Sequence, residues 1–201
     1  MIPVRRRHAA SRANDWAPRT LGLAVVSWGG PIVSTRFRTL SPDEIDLHRS
    51  VRLRALSDAP QAFEDRHEVL ADRPAQWWAD LTAALTDPGF GTMVLALDET
   101  DTPIGSVYGF GDRGREGTAR VGGMWVDSAA RGRGVGAGLL GRVVDWASTA
   151  GFVRIALWAP VDAPAAQALY RRSGFVETGL RRPLPSDPSR TIVELQRSLR
   201  G

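Results

Sequence analysis

The chain has 201 residues, ordinary apolar and charged fractions and a formal net charge of +4, which suits one α/β domain with a real core and leaves little for a second. It has no cysteine, and its three histidines, His8, His48 and His67, lie far apart, which excludes disulfides, thiolate metal sites and a cysteine nucleophile and offers no metal-ligand spacing. Every basic residue is arginine, so a Walker A lysine and a Schiff-base lysine are both excluded.

Residues 1–32 read as a leader. Their segment MIPVRRRHAASRANDWAPRT shows neither helical nor strand period. Seven arginines stand against one aspartate within residues 1–40, and +6 there from a total of +4 leaves −2 on the rest. The folded part is therefore not basic, and no nucleic-acid partner is expected. The patch LGLAVVSWGG follows an arginine-rich start, as in a signal peptide, but glycine and tryptophan interrupt it and no small-x-small cleavage site follows. No run of about 18 apolar residues occurs, so no membrane helix is expected. We expect a dispensable leader without regular structure, then a cytoplasmic domain over 33–201.

From Ile32 the pattern becomes regular. IVSTRFRTL alternates as a first strand. Ser41 to Glu44, SPDE, reads as a capping box with proline just inside the helix start, and a helix to about Leu56 follows. Ala59-Pro60 breaks it. A second helix, about 74–85, carries Trp77 and Trp78. Strands are expected at 92–98, 104–110 and 119–126, a helix at 135–150, a strand at 152–159 and a helix at 163–173. Residues 174–179 and 191–199 read as closing strands. This order gives an α/β chain of the α+β type, with a mixed, mostly antiparallel sheet of six to seven strands, about four helices and one βαβ step.

The most informative stretch is Trp125 to Ala147, WVDSAARGRGVGAGLLGRVVDWA. A strand ends, a loop follows, and a helix begins among glycines 132, 134, 136, 138 and 141. Each glycine inside a helix costs roughly 1 kcal/mol against alanine, so the set makes sense if a ligand approaches the backbone closely. Helix N-termini present free N–H groups and a partial positive charge, which suits a phosphate. Arg131 and Arg133 add charge. GAGLLG matches the dinucleotide fingerprint G-x-G-x-x-G, but that motif must open directly after a strand, and here the strand ends ten residues earlier.

Arg131-Gly132-Arg133-Gly134-Val135-Gly136 resembles the R/Q-x-x-G-x-G/A pyrophosphate loop of the GNAT N-acetyltransferases. Leu169 to Phe175, LYRRSGF, is similar to that family's L-Y-x-x-x-G-F signature, at a typical distance from the first motif. The resemblance is specific over 119–177 and extends by element order over 33–199. It implies the GNAT fold and acetyl-CoA as co-substrate, with no metal. The pyrophosphate is expected on backbone N–H groups of Arg131, Gly132, Arg133, Gly134, Val135, Gly136 and Ala137. The pantetheine arm is expected between strands 119–126 and 152–159, against main chain at Met124, Trp125 and Val126. Gly122-Gly123 within a strand suggests a bulge or a close approach.

Acetyl transfer to an amine needs a neutral amine, a polarised thioester carbonyl and a stabilised leaving thiolate. The resemblance implies Tyr170 as the acid facing the sulfur. No base is evident. Glu64, Glu68, Asp112 and Glu116 are the candidates, because Gly122 and Gly123 stand where many relatives carry a carboxylate. Ala163 stands where the family often has asparagine. For the acceptor, a primary amine on a small molecule or a protein, the connection between the first helices carries Asp58, Glu64, Asp65, Glu68 and Asp72 against Arg66, which could steer a cation. Trp77 and Trp78 could wall its pocket. A homodimer is left open. The rival reading is an inactive acetyl-CoA-binding sensor or interaction module.

Overall fold

The structure, a computed structural model, describes residues 35–200. The expected leader lies outside the described residues. Seven strands, β1 (Arg36–Thr39), β2 (Gly91–Leu97), β3 (Pro103–Gly111), β4 (Thr118–Val126), β5 (Arg154–Pro160), β6 (Val176–Leu184) and β7 (Asp187–Ser198), form one sheet in the order β1-β2-β3-β4-β5-β7-β6. Every pairing is antiparallel except β4 with β5. That parallel pair is joined by α4 (Val135–Thr149), the expected βαβ step. The remaining helices are α1 (Ile45–Asp58), α2 (His67–Ala71), α3 (Ala75–Thr86) and α5 (Pro164–Arg172). The α/β class holds, with five α-helices among the described residues against the expected four or so.

The sheet separates two cores. Alternation along β2 sends Val94 and Ala96 to one core, with Leu139, Leu140, Val143 and Val144 of α4 and Tyr170 of α5. It sends Met93, Leu95 and Leu97 to the other, with Val51, Ala55 and Leu56 of α1 and Trp78 and Leu85 of α3. All of β2 is thus buried, as a central strand covered on both faces must be.

Three local expectations are corrected. The capping box forms by half: Glu44 accepts from the Ser41 N–H at 2.8 Å, but Glu44 is itself the N-cap and α1 starts at Ile45, leaving Pro42 outside the helix. Arg38 draws the Glu44 carboxylate into a two-bonded pair at 2.7 Å and holds its pKa below the usual range, which competes with helix capping. The connection after α1 contains the short helix α2, too brief to show a period. The closing strands are longer than expected and form a hairpin, with Arg181–Pro183 paired to Thr191–Val193; an edge strand with exposed side chains shows no apolar alternation.

Not every glycine of α4 serves a ligand. A Cβ on Gly138 would lie 2.4 Å from the Phe37 ring, so that glycine lets β1 pack on α4. Gly141 is exposed and a Cβ there meets nothing within 4 Å. Gly141→Ala should therefore stabilise the fold by roughly 0.5–1 kcal/mol, read by urea denaturation, with acetyl-CoA affinity unaltered.

His48 lies fully buried on α1 in a chain of fixed polarity. Thr82 donates its hydroxyl to the Trp78 carbonyl at 2.8 Å, so it accepts from His48 Nδ1 at 2.8 Å; Nε2 then accepts from the Tyr108 hydroxyl at 3.1 Å. Burial, with the nearby Arg52 charge, pushes the His48 pKa down to about 4. The unfolded chain, with an ordinary value near 6.5, binds that proton first. Stability is therefore full above about pH 6.5 and declines as the pH falls towards 4. At roughly 1.4 kcal/mol per pH unit the loss is on the order of 3 kcal/mol. Denaturation curves across that window should show the decline in the parent and a flatter profile in His48→Gln.

Candidate active site

β4 ends at Val126, where Asp127 accepts from the Ala129 N–H and caps one 3₁₀ turn, Ser128–Ala130. The chain then passes Gly132 and Gly134, both left-handed at φ +75° and +81°, and enters α4 at Val135. The first backbone bond of this helix runs from the Gly138 N–H to the Gly134 carbonyl at 3.0 Å. Among the described residues, the N–H groups from Gly132 to Ala137 have no backbone acceptor. Six adjacent donors at a helix N-terminus form an anion cradle. A Cβ at Gly132 or Gly134 would meet nothing within 4 Å, so the backbone there faces open space.

Arg131 behaves differently from the expectation that it adds charge to the cradle. Its Nε donates to the Val126 carbonyl at 2.9 Å and its Nη2 to Asp58 at 2.7 Å. The side chain thus ties the loop to α1 and β4. Arg133 is exposed.

Beside the cradle the sheet parts. β4 and β5 pair only through Thr118–Arg120 and Arg154–Ala156. Beyond Arg120 the β5-facing edge of β4 has no partner strand. The glycine pair does mark a bulge: Tyr108 faces Gly122 and Ser106 faces Trp125, so Val107 alone opposes Gly123 and Met124. Gly123 has φ +59°, and a Cβ there would lie 2.8 Å from the Tyr108 ring. Met124 and Val126 are half-buried along this edge. Trp125 turns its buried ring away and donates its Nε1 to Asp58 at 2.9 Å.

Cradle and split belong to one cleft of about 1390 Å³. Tyr170 lines it from α5, where Leu169 also lines the wall and packs 3.2 Å from the Cβ position of Gly136. The Tyr170 ring meets Phe175 edge-on. Burial raises the hydroxyl pKa to about 12, and the hydroxyl makes no hydrogen bond to the protein among the described residues. Asp162 pairs with Arg190 at 2.6 Å; Ala163 occupies the N-cap of α5 and Pro164 the first turn.

The opposite side of the cleft is walled by Phe63, Glu64 and Asp65 of the α1–α2 connection, with Tyr108, Trp158 and Arg182. Glu64 lines the cleft and is held by both Arg182 contacts, at 2.9 and 3.0 Å. Asp65 pairs with Arg52 and Asp58 with Arg131. Three of the five acids counted in this connection thus have arginine partners, which removes most of the expected pull on a cation. Glu68 does not line the cleft, and neither do Trp77 and Trp78. Trp78 is a core residue, edge-on to His48; Trp77 packs edge-on to Trp78 with the Arg73 guanidinium 5.3 Å from its ring centre. Their helix packs chiefly on β2, away from the split.

Asp112 also lines the cleft, bound to Arg120 at 2.7 Å. Arg120 bridges to the buried Glu194, which also accepts from Arg115 and Thr178. Burial works to raise the pKa of both acids, but the surrounding hydrogen-bond donors prevail and hold both below the usual carboxylate range. Arg52, Phe63, Tyr108, Trp158 and Glu194 escaped the sequence reading. A signal existed for one: Arg52 falls in the stripe His48, Val51, Arg52, Ala55, Leu56, where helical period demands core residues.

The sheet is parted between its parallel strands, and a row of backbone N–H groups without backbone acceptors lies at the mouth of the gap, an arrangement suited to an extended anionic ligand. The profile of the acetyltransferase (GNAT) family matches residues 52–175. Mycothiol acetyltransferase of Beutenbergia cavernae is 30% identical over 146 residues, 70% of this chain and 44% of that protein, so the chain spans less than half of this curated relative. Among solved structures, a GNAT acetyltransferase from Streptococcus pneumoniae superposes with a TM-score of 0.69 at 16% identity, covering 82% of this chain and 99% of that one. A phosphinothricin acetyltransferase from Sinorhizobium meliloti, in complex with acetyl-CoA, gives 0.67 at 20% identity, covering 82% and 88%. The chain belongs to the acetyltransferase (GNAT) family.

Proposed function

We propose that this domain transfers the acetyl group of acetyl-CoA to a primary amine by direct attack within a ternary complex. The observation that carries the reading is one continuous cleft joining the cradle, the unpaired edge of β4 and Tyr170, with a second wall on the far side of the split for the acceptor. When bound, acetyl-CoA supplies an activated acyl thioester. The N–H groups of Gly132 to Ala137 hold its pyrophosphate. The free edge of β4 near Met124 and Val126 pairs with the pantetheine amides, and a backbone N–H near Met124 polarises the carbonyl. Tyr170 keeps its proton at working pH, donates it to the departing sulfur and is reprotonated from solvent, which has taken the proton shed by the amine. Holding amine and thioester together contributes most of the acceleration. Asp112 and Glu194 are poor bases because arginines hold them ionised, so the amine enters neutral or loses its proton to water.

Millimolar acetyl-CoA should raise the melting temperature by mass action, with NAD and ATP much weaker. A panel of primary amines, followed by release of free CoA thiol, should then reveal turnover. No thermal shift would remove the reading altogether. A shift without turnover would favour the inactive sensor, which Gly122-Gly123 and Ala163 also suit.

A further inference from the structure

We propose that the acceptor is an amine that also carries a carboxylate, and that Arg52 receives this carboxylate; the inference rests on the acetyl-transfer reading above. Arg52 lies on the core-facing stripe of α1 and is 5% exposed. Its guanidinium carbon sits 4.6 Å from the Phe63 ring centre and 5.7 Å from that of Tyr108. Nη2 donates to Asp65 at 2.7 Å. Nη1 is buried in the cleft wall and meets no partner among the described residues. Four buried side-chain polar atoms lack a partner among the described residues: Arg52 Nη1, Trp78 Nε1, Thr118 Oγ1 and Gln167 Oε1. Of the four residues, Arg52 alone lines the cleft and alone carries a charge.

An unmet donor on a buried cation is costlier than one on a neutral group. Pairing with Asp65 does not account for the arrangement, because the Asp65 side chain is 51% exposed and a half-solvated pair contributes little. A bound carboxylate would account for it, since guanidinium offers several donors in one plane and matches a planar oxyanion.

The position is right for an acceptor. Tyr108 touches the guanidinium on one side and the bulge at Gly123 on the other, next to the main chain that polarises the thioester. One aromatic ring thus separates the reacting end of the acceptor from its anionic end, which fits an amino-acid-like molecule. The wall that holds Arg52 is itself pinned. Ser186 donates to the Phe63 carbonyl, Arg190 to the Gln61 carbonyl and Arg182 to Glu64, all from β6, β7 or their turn. Arg182 and Arg190 are each matched to an acid, Glu64 and Asp162. The unused capacity on this wall is that of Arg52.

The test compares amino acids with their primary amides and with the amines left by removing the carboxylate. In the parent, kcat/KM should be at least about 10-fold higher for the amino acid than for either analogue. Arg52→Gln should lower it about 10- to 100-fold for the amino acid and within about twofold for the amide, and Arg52→Lys should recover part of the loss. Asp65→Asn, which removes the competing carboxylate, should lower KM for the amino acid alone. A second readout does not need turnover: tryptophan fluorescence should report binding of an N-acetyl amino acid to the protein–CoA complex, weakened by Arg52→Gln while CoA affinity holds. Equal use of amides and amino acids by the parent, or a preference that survives Arg52→Gln, overturns the proposal. If no amine is turned over, acetyl transfer fails as a reading, and the titration still decides: binding indifferent to Arg52 overturns the carboxylate site, and Arg52-dependent binding supports it.

Discussion

Tyr170→Phe should lower the catalytic constant roughly 10- to 1000-fold while acetyl-CoA affinity changes little. The substitution keeps the ring against Phe175 and the core and deletes one hydroxyl that makes no hydrogen bond to the protein among the described residues. Stability should therefore barely move, unlike the loss of a hydroxyl that leaves a buried partner unmet. The raised pKa, about 12, comes from burial and keeps the hydroxyl protonated through any working pH. A thiol of ordinary pKa near 8.5 is a fair leaving group, so a weak but well-placed acid suffices. A pH–rate profile should consequently rise as the acceptor amine loses its proton and show no descending limb from Tyr170 at working pH. Steady-state kinetics with chemistry rate-limiting in the parent, together with a cofactor titration, measure both quantities. Unchanged turnover in the Phe variant would make Tyr170 a packing residue and leave the thiolate to depart unaided.

Those elements whose residues obey a period were legible in the sequence. The strands from Gly91 to Val126, the helix after the glycine loop and α5 fall within a few residues of their expected bounds. The cradle was legible because glycines before a helix have few other uses. Other features depend on partners distant in sequence. The half-formed capping box depends on Arg38, and the burial of both Trp78 and His48 depends on α1 meeting α3. Acidic residues were easy to count, but their arginine partners at 52, 131 and 182 come from three separate elements, so charge imbalance along the chain misjudged the surface. Of the five glycines at 132, 134, 136, 138 and 141, sequence could not separate Gly132, Gly134 and Gly136, which line the cleft, from Gly138, which faces Phe37, or Gly141, where a Cβ meets nothing within 4 Å.

That distinction makes Gly134 the sharpest probe of the cradle. Gly134→Val should raise the dissociation constant for acetyl-CoA roughly 100-fold. At φ +81° a β-branched residue is strained wherever its side chain points, by about 1–3 kcal/mol. Two outcomes are open to the chain, and both damage the cradle. It can keep the turn and project the isopropyl group into the space around Gly134, where a Cβ meets no protein atom and where we place the pyrophosphate. Or it can relax to negative φ and turn the N–H groups of Gly134 and Val135 away from their shared focus. Losing one or two hydrogen bonds to a charged oxygen, at about 1.5–3 kcal/mol each, corresponds to a loss of the order predicted. Gly136→Val should act more mildly on the backbone, since Gly136 has helical φ, but must displace Leu169 from 3.2 Å. A donor lacking the pyrophosphate separates a cradle effect from general damage. With S-acetyl-pantetheine, parent and Gly134→Val should have kcat/KM values within about threefold of each other, because neither engages the cradle. An equal loss with both donors would mean that the substitution distorts the split itself, and a folded Gly134→Val protein with normal acetyl-CoA affinity would remove the cradle from the mechanism.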